Sequence, residues 1–258
     1  MNNNIPCNNP LYFFRFCRPA PLLFILSAGL SLLTLFTGNA AAERLVYDLS
    51  WTGIKAGSAV QEYTEEKDSV RIVSTARSAD WISVFFPVED RVVSILSKGT
   101  PSQFGLPRNF RMTISEGNHR RDREIIFNHG KKQALFIDHR SGEKAEVAIG
   151  ADTYDTYSSF YYVRRMALVP GKSVYISILD NKELYDIEIQ VLKKERLKTV
   201  LGHVDTILIK PLIKTEGIFN RKGAIYIWLT DDARRIPVLM KTKVAIGSIT
   251  ATLAGGTY

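Results

Sequence analysis

The sequence predicts a mainly β protein: a curved antiparallel sheet or open β-barrel meander with one long helix packed against it. Two observations carry that expectation. From Glu43 onward apolar residues alternate with polar ones, and turn residues interrupt the chain roughly every eight to twelve positions, the pattern of half-buried antiparallel strands. One segment, Asp155–Leu168, departs from that period: its apolar residues recur at helical spacing, and it contains neither Gly nor Pro.

The strands follow in order. Leu45, Tyr47, Leu49 and Trp51 share one face of the first, and a tight turn over Gly53–Gly57 returns the chain. Val70–Ala76 is the next strand. Asp80–Phe86 (DWISVFF) suits a helical turn or a strand equally, and Pro87 ends it. Strands resume at Arg91–Ser97, Arg108–Ser115, Arg121–Phe127 and Gln133–Asp138, with turns at Gly117-Asn118 and His129-Gly130. Glu143–Ile149 continues the series. After the helix come Val174–Leu179, a hairpin at Asp180-Asn181, then Tyr185–Leu192, Val204–Ile213, Ala224–Leu229 and Pro237–Leu253. Asp155 is the expected N-cap with Ser158 at capping-box spacing, and Pro170-Gly171 is the stop signal.

The part before Glu43 is read as a signal peptide, residues 1–42. Arg15 and Arg18 precede an uncharged apolar run, Pro21–Phe36, and Ala40 and Ala42 set a small-x-small cleavage pattern before Glu43. The run is shorter than the ~20 residues a spanning helix needs, so no stable transmembrane span is expected after cleavage; a retained N-terminal membrane anchor is the alternative. Residues 43–258 are then a single β-rich domain, exported and periplasmic or envelope-associated. A division into two β halves near residues 150–170 is a further option. Both cysteines, Cys7 and Cys17, lie in the leader, which removes disulfides, thiolate nucleophiles and Cys-ligated metals from the rest of the chain. The formal charge of +8 favours anionic partners such as lipid head groups or cell-wall polymers; nucleic acid is not expected outside the cytoplasm.

Catalytic signals are weak. The sequence has no glycine-rich phosphate loop, no HExxH helix and no nucleophile elbow, so an enzyme is not the favoured reading, and no metal or cofactor is expected. His119, His129 and His139 are evenly spaced, but a meander places His129 at the end opposite the other two, and two histidines make a poor metal site. Arg121 and Arg123 share a strand face, read as a solvated face or as a phosphate-docking patch. On the helix, Arg164 and Arg165 follow Tyr161 and Tyr162; a guanidinium packed there requires a carboxylate or a ligand anion. In AIYIWLTDDARRIP (Ala224–Pro237) the acidic and basic residues are expected to pair locally across a tight turn, with Asp232 and Arg234 at the mouth of a pocket as the functional alternative.

DTYSSFYYVRR (Asp155–Arg165), IWLTDDARRIPV (Ile227–Val238) with AIGS (Ala245–Ser248), and YDLSWTGIKAG (Tyr47–Gly57) together resemble the bacterial domain-of-unknown-function family 3108. The residues that match its pattern are Asp155, Ser158 and Arg164 on the helix, and Trp228, Asp232, Arg234, Pro237 and Gly247 near the C-terminus. The resemblance implies an exported β-rich bacterial protein and brings no activity. The expected architecture is also similar to the lipoprotein-carrier folds of the bacterial envelope, an analogy that does not fix function.

Three functions are weighed. The first is binding or carrying of an apolar or amphipathic, lipid-like ligand in the sheet's concavity, with Phe160 and Tyr161 lining it and Arg164, Asp232 and Arg234 orienting a polar head group. The second is a structural or assembly protein making contacts with other envelope proteins. The third and weakest is an envelope hydrolase.

Overall fold

A computed structural model describes residues 42–100, 103–213, 224–243 and 247–258. All of the expected leader except Ala42 lies outside the described residues, as do Ala245 and Ile246.

Among the described residues the alternating pattern yields one 15-stranded sheet. Its first arm is a meander: β1 (Ala42–Trp51), β2 (Ile54–Glu65), β3 (Ser69–Ser78), β4 (Glu89–Ser97), β5 (Pro107–Glu116), β6 (His119–Asn128), β7 (Gln133–Asp138) and β8 (Lys144–Ala148). The second arm holds β9 (Thr153–Tyr154), β10 (Ser173–Asp180), β11 (Glu183–Thr199), β12 (Gly202–Ile213), β13 (Ile225–Thr230), β14 (Pro237–Lys243) and β15 (Ser248–Thr257). β1 is the seam between the arms, antiparallel to both β2 and β15; Tyr47 faces Ala59 on one side and Leu253 on the other. All pairings of the named strands are antiparallel except the short β9, which runs parallel to β10. β8 and β9 end the strand order and do not pair, so the sheet stays open.

The sheet curls because its inner face is apolar on both arms. One buried cluster joins Tyr63, Ile72 and Leu96 of the first arm to Ile176, Ile187, Ile207 and Ile227 of the second. A second cluster joins Phe110, Ile125 and Phe136 to Leu179 of β10. Side chains also bridge the arms where backbone pairing stops: Lys182 forms an ion pair with Glu143 at 2.6 Å and lies 5.7 Å from the centroid of the Phe136 ring.

The helix, α2 (Thr156–Arg164), occupies the concavity. Tyr161 and Val163 belong to the first cluster, and Tyr157 packs against both. The capping box forms as the sequence predicts. Asp155 Oδ1 accepts from the N–H groups of Tyr157 and Ser158, and Ser158 Oγ accepts from the Asp155 N–H. Asp155 Oδ2 also accepts from Ser94 Oγ at 2.6 Å and from Ser158 Oγ at 2.7 Å. This carboxyl has no exposed surface, and burial pushes its pKa up against those four hydrogen bonds. The helix is shorter than the expected Asp155–Leu168. Arg165 N–H and Met166 N–H bond carbonyls three residues back, tightening the last turn, and Leu168 enters the core beyond the helix end.

Three further points have local causes. Asp80–Phe86 resolves as a helical turn, α1 (Asp80–Ser83), followed by a loop. The expected strand Pro237–Leu253 is two strands, β14 ending at Lys243 and β15 beginning at Ser248. Gly247 has φ +84°, and a Cβ there would collide with Thr52 Oγ1 of the β1–β2 turn, so the backbone passes that turn where only glycine fits. β9, two residues long, has too little sequence to show a period.

Strand alternation gives the sheet two ends, about 33 Å apart along a ten-residue strand. One end carries Ala42, the β2–β3 turn, the β4–β5 connection, the C-terminus of α2 and the β13–β14 turn. The other carries the β1–β2 turn, α1 with its loop, and the β5–β6 turn.

Candidate functional site

Two adjoining clefts open at the first of these ends. A cleft of about 290 Å³ is bordered by Glu43, Tyr63, Tyr161, Arg164, Arg234 and Tyr258 among others. A cleft of about 230 Å³ is bordered by Val70, Lys98, Phe104 and Gly105 among others. Tyr63, Glu65 and Arg165 line both. Each lies below the usual ~300–1,000 Å³ of a small-molecule site, because α2 fills the concavity behind them.

The floor of the larger cleft is an ion pair. Arg164 Nη1 and Nη2 donate to the two carboxylate oxygens of Glu43 at 2.8 and 2.5 Å. Its Nε and Nη2 also donate to the carbonyls of Arg235 and Arg234, both at 3.0 Å. The guanidinium carbon is 4.8 Å from the centroid of the Tyr161 ring. With side-chain exposures of 7% and 16%, this bidentate pair ties the start of β1 to the end of the helix and to the β13–β14 turn. The carboxylate that the sequence required for a packed guanidinium is therefore supplied by the fold itself. Tyr161 stacks on Tyr63 with centroids 5.1 Å apart. Its hydroxyl is buried beside Glu43 and makes no hydrogen bond of good geometry. Burial, with the Glu43 charge, raises its pKa well above the ordinary phenol value.

Arg165, one residue on, is exposed. Its guanidinium carbon sits 4.9 Å from the centroid of the Phe104 ring, and Nη2 reaches Tyr63 Oη at 3.4 Å. No carboxylate lies within ion-pair distance of it among the described residues. Tyr63 donates to Glu65 at 3.1 Å; burial pushes its pKa to about 12, with Arg165 opposing and Glu65 reinforcing.

Of the residues expected around a ligand, Tyr161, Arg164 and Arg234 border the larger cleft, whereas Phe160 packs in the core cluster and Asp232 is held in its turn. Asp232 pairs with Arg234 at 2.8 Å, and Asp231 with Arg235 at 2.9 Å, the local pairing that the sequence favours. Trp228 donates to Glu195 at 2.7 Å, and the Pro237 carbonyl accepts from Tyr47 Oη at 3.0 Å. Glu43, Tyr63 and Phe104 carry no signal of this role in the sequence. Only the Arg164-Arg165 doublet offered a signal, and it did not say which arginine faces outward.

Elsewhere, Arg111 pairs with Asp122, Arg123 with Asp138 and His139 with Glu124 across β5, β6 and β7. His129 contacts the Pro107 carbonyl and stacks on Phe127, away from His119 and His139. Among the described residues no group of three or more His, Cys, Asp or Glu is placed to hold a metal ion, and no helix is long and apolar enough to cross a membrane.

A family profile described as "Protein of unknown function (DUF3108)" matches residues 46–254. The chain belongs to the DUF3108 family. No curated protein matches it in sequence. Its fold is similar to that of a solved structure from Brucella abortus, a beta-barrel-like protein of domain of unknown function DUF1849. That likeness has a TM-score of 0.57 at 11% identity and covers 84% of this chain and 98% of the other. At that identity the likeness is one of fold. For the DUF3108 chain it places the open, curled sheet among barrel-like architectures.

Proposed function

We propose that this DUF3108 protein is an exported, non-catalytic envelope protein that holds part of an amphipathic ligand, of the fatty-acid or lysophospholipid class, in the twin clefts. One observation carries the reading. Of two adjacent arginines, Arg164 has its charge answered inside the fold, whereas Arg165 stands unanswered between two aromatic-walled clefts. A guanidinium over an aromatic ring, beside apolar walls, suits an anionic head with an apolar tail. Lys98 adds a second cation to the smaller cleft, and Tyr63, Tyr161, Phe104 and Val70 supply apolar surface. The Glu43–Arg164 pair forms the floor, and Arg234 borders the mouth. Export is supported by the leader pattern and by the absence of cysteine after it.

The test is titration of the purified protein with oleate and with lysophosphatidylglycerol, read by native mass spectrometry. The expected result is one bound amphiphile, with Arg165→Glu at least tenfold weaker (about 1.4 kcal/mol) and its circular dichroism unchanged. No uptake by the parent chain, or equal uptake by the variant, overturns the reading.

A further inference from the structure

The end opposite the clefts carries several large, exposed apolar side chains. In the loop after α1, Val84 and Phe85 are 78% and 84% exposed, and Phe86 is 52% exposed. Trp81 stands beside them, and Trp51 and Ile54 of the β1–β2 turn are also exposed. Isolated exposed apolar residues are ordinary, but several large ones gathered on two neighbouring turns mark an interaction surface.

The loop holds its shape through its own polar groups. The N–H groups of Ile82 and Ser83 donate to the Ala79 carbonyl, and those of Phe85 and Phe86 to the Ile82 carbonyl. Ser83 Oγ bonds the Ala79 carbonyl, and the Val88 N–H donates to Ser78 Oγ. Trp81 Nε1 donates to the Lys55 carbonyl, and the Gly117 N–H to that of Pro87. Phe86 lies so close over Gly117 that a Cβ there would come within 2.8 Å of its ring. Four of the loop's N–H groups are thus bonded internally, which lowers the cost of moving it out of bulk water, and aromatic side chains favour the membrane–water boundary.

The charges around the loop name the medium. Lys55 and Arg77 are answered by Asp48 and Glu89. Arg91, Arg120, Arg121 and Lys243 have no carboxylate within ion-pair distance among the described residues. Among the acids at this end, Asp90 accepts from the Ser115 N–H, and burial together with Asp90 pushes the Glu116 carboxyl up. We propose that this end is a membrane-docking face: the Val84-Phe85-Phe86 loop inserts into the interface of an anionic phospholipid bilayer while the surrounding arginines meet its head groups.

The test uses vesicles of phosphatidylcholine with and without phosphatidylglycerol, some with brominated acyl chains. Co-sedimentation and tryptophan emission are the readouts. Trp51 and Trp81 stand at this end and Trp228 lies elsewhere, so bromine quenching reports this face whatever else holds the chain to a vesicle. The expected result is quenched, blue-shifted emission on anionic vesicles, at least tenfold weaker on neutral ones and weakened by salt. Phe85→Ser/Phe86→Ser, which alters only exposed residues, should abolish the quenching. Absence of quenching on every vesicle, or equal quenching of the variant, overturns the proposal. A Phe85/Phe86-dependent dimer in sedimentation velocity without vesicle binding also overturns it, and assigns the face to a second copy of the chain.

Discussion

The two ends of the sheet handle polar and apolar groups in opposite ways. At the cleft end the charges are turned inward: the half-buried Glu43 is joined to the buried Arg164, and the Arg234 and Arg235 carbonyls complete the guanidinium's bonds. At the loop end the N–H groups of Ile82, Ser83, Phe85 and Phe86 are bonded within the segment and the apolar side chains are turned outward. The first arrangement carries stability, because removing one partner strands the other. The second contributes little to the fold, because Phe85 keeps 84% of its surface exposed. A surface that the fold does not use is where a binding role is most economically read.

The sharpest way to break that contrast is Arg164→Ala. It leaves the Glu43 carboxylate buried without a partner and two carbonyls short of a donor, and losses of this kind run to about 3–5 kcal/mol. Urea unfolding should show the midpoint shifted by that loss at an unchanged slope. A change under 1 kcal/mol would mean that the pair is solvated and that the cleft floor is not what holds β1 to the helix. Asp155→Ala comes next. It removes the N-cap acceptor and leaves Ser94 Oγ unpartnered, for an expected loss of about 2 kcal/mol in thermal unfolding. Asp155→Asn, which still accepts at the cap, should recover most of it.

Acid gives the smallest effect and touches both ends. Asp138 is held below the usual carboxylate range by the Ser141 N–H and Arg123, and Asp231 by Lys194 and Arg235. For Asp232, burial is outweighed by Thr230 and Arg234, which leave its pKa depressed. A carboxyl with a depressed folded pKa contributes stability that is present above its unfolded pKa, near 4, and is lost as pH falls through the folded value. Stability should therefore be flat in these groups from pH 7 to about 5 and decline below 4. Asp231→Asn should flatten that decline; an identical acid limb in the variant would remove Asp231 from the account.

Local features of this architecture were legible in the sequence because they are short-range. The strand periods, the Asp155–Ser158 capping box and the Asp231–Arg235 turn pairs are written within a few residues of one another. Glu43 was not legible as the partner of Arg164, since the two are separated by 121 positions and meet only after the sheet has curled. Which of Arg164 and Arg165 faces inward depends on how the last turn of α2 meets β1, and a doublet carries no such information. The DWISVFF segment reads as apolar in any window. Its exposure follows from its position in the β3–β4 connection, beyond the strand ends and outside the sheet's apolar inner face. Gly247 shows the same limit from the other side: its glycine was recognised as part of a pattern, and the reason for it is a turn that lies almost 200 residues earlier in the chain.

The seam at β1 also governs how the molecule can assemble in time. β1 is the first strand and β15 the last, yet they are neighbours from Arg44 against Thr257 to Trp51 against Ile249. A chain emerging from its N-terminus can form β1 to β8 as successive hairpins, each closing a short loop. The free edge of β1 must wait until the whole second arm has appeared. Closing so long a loop adds an entropic barrier and slows folding. During that wait an unpaired strand edge stands open to any other chain. The interval between the appearance of β1 and the arrival of β15 is when this protein is most prone to aggregate.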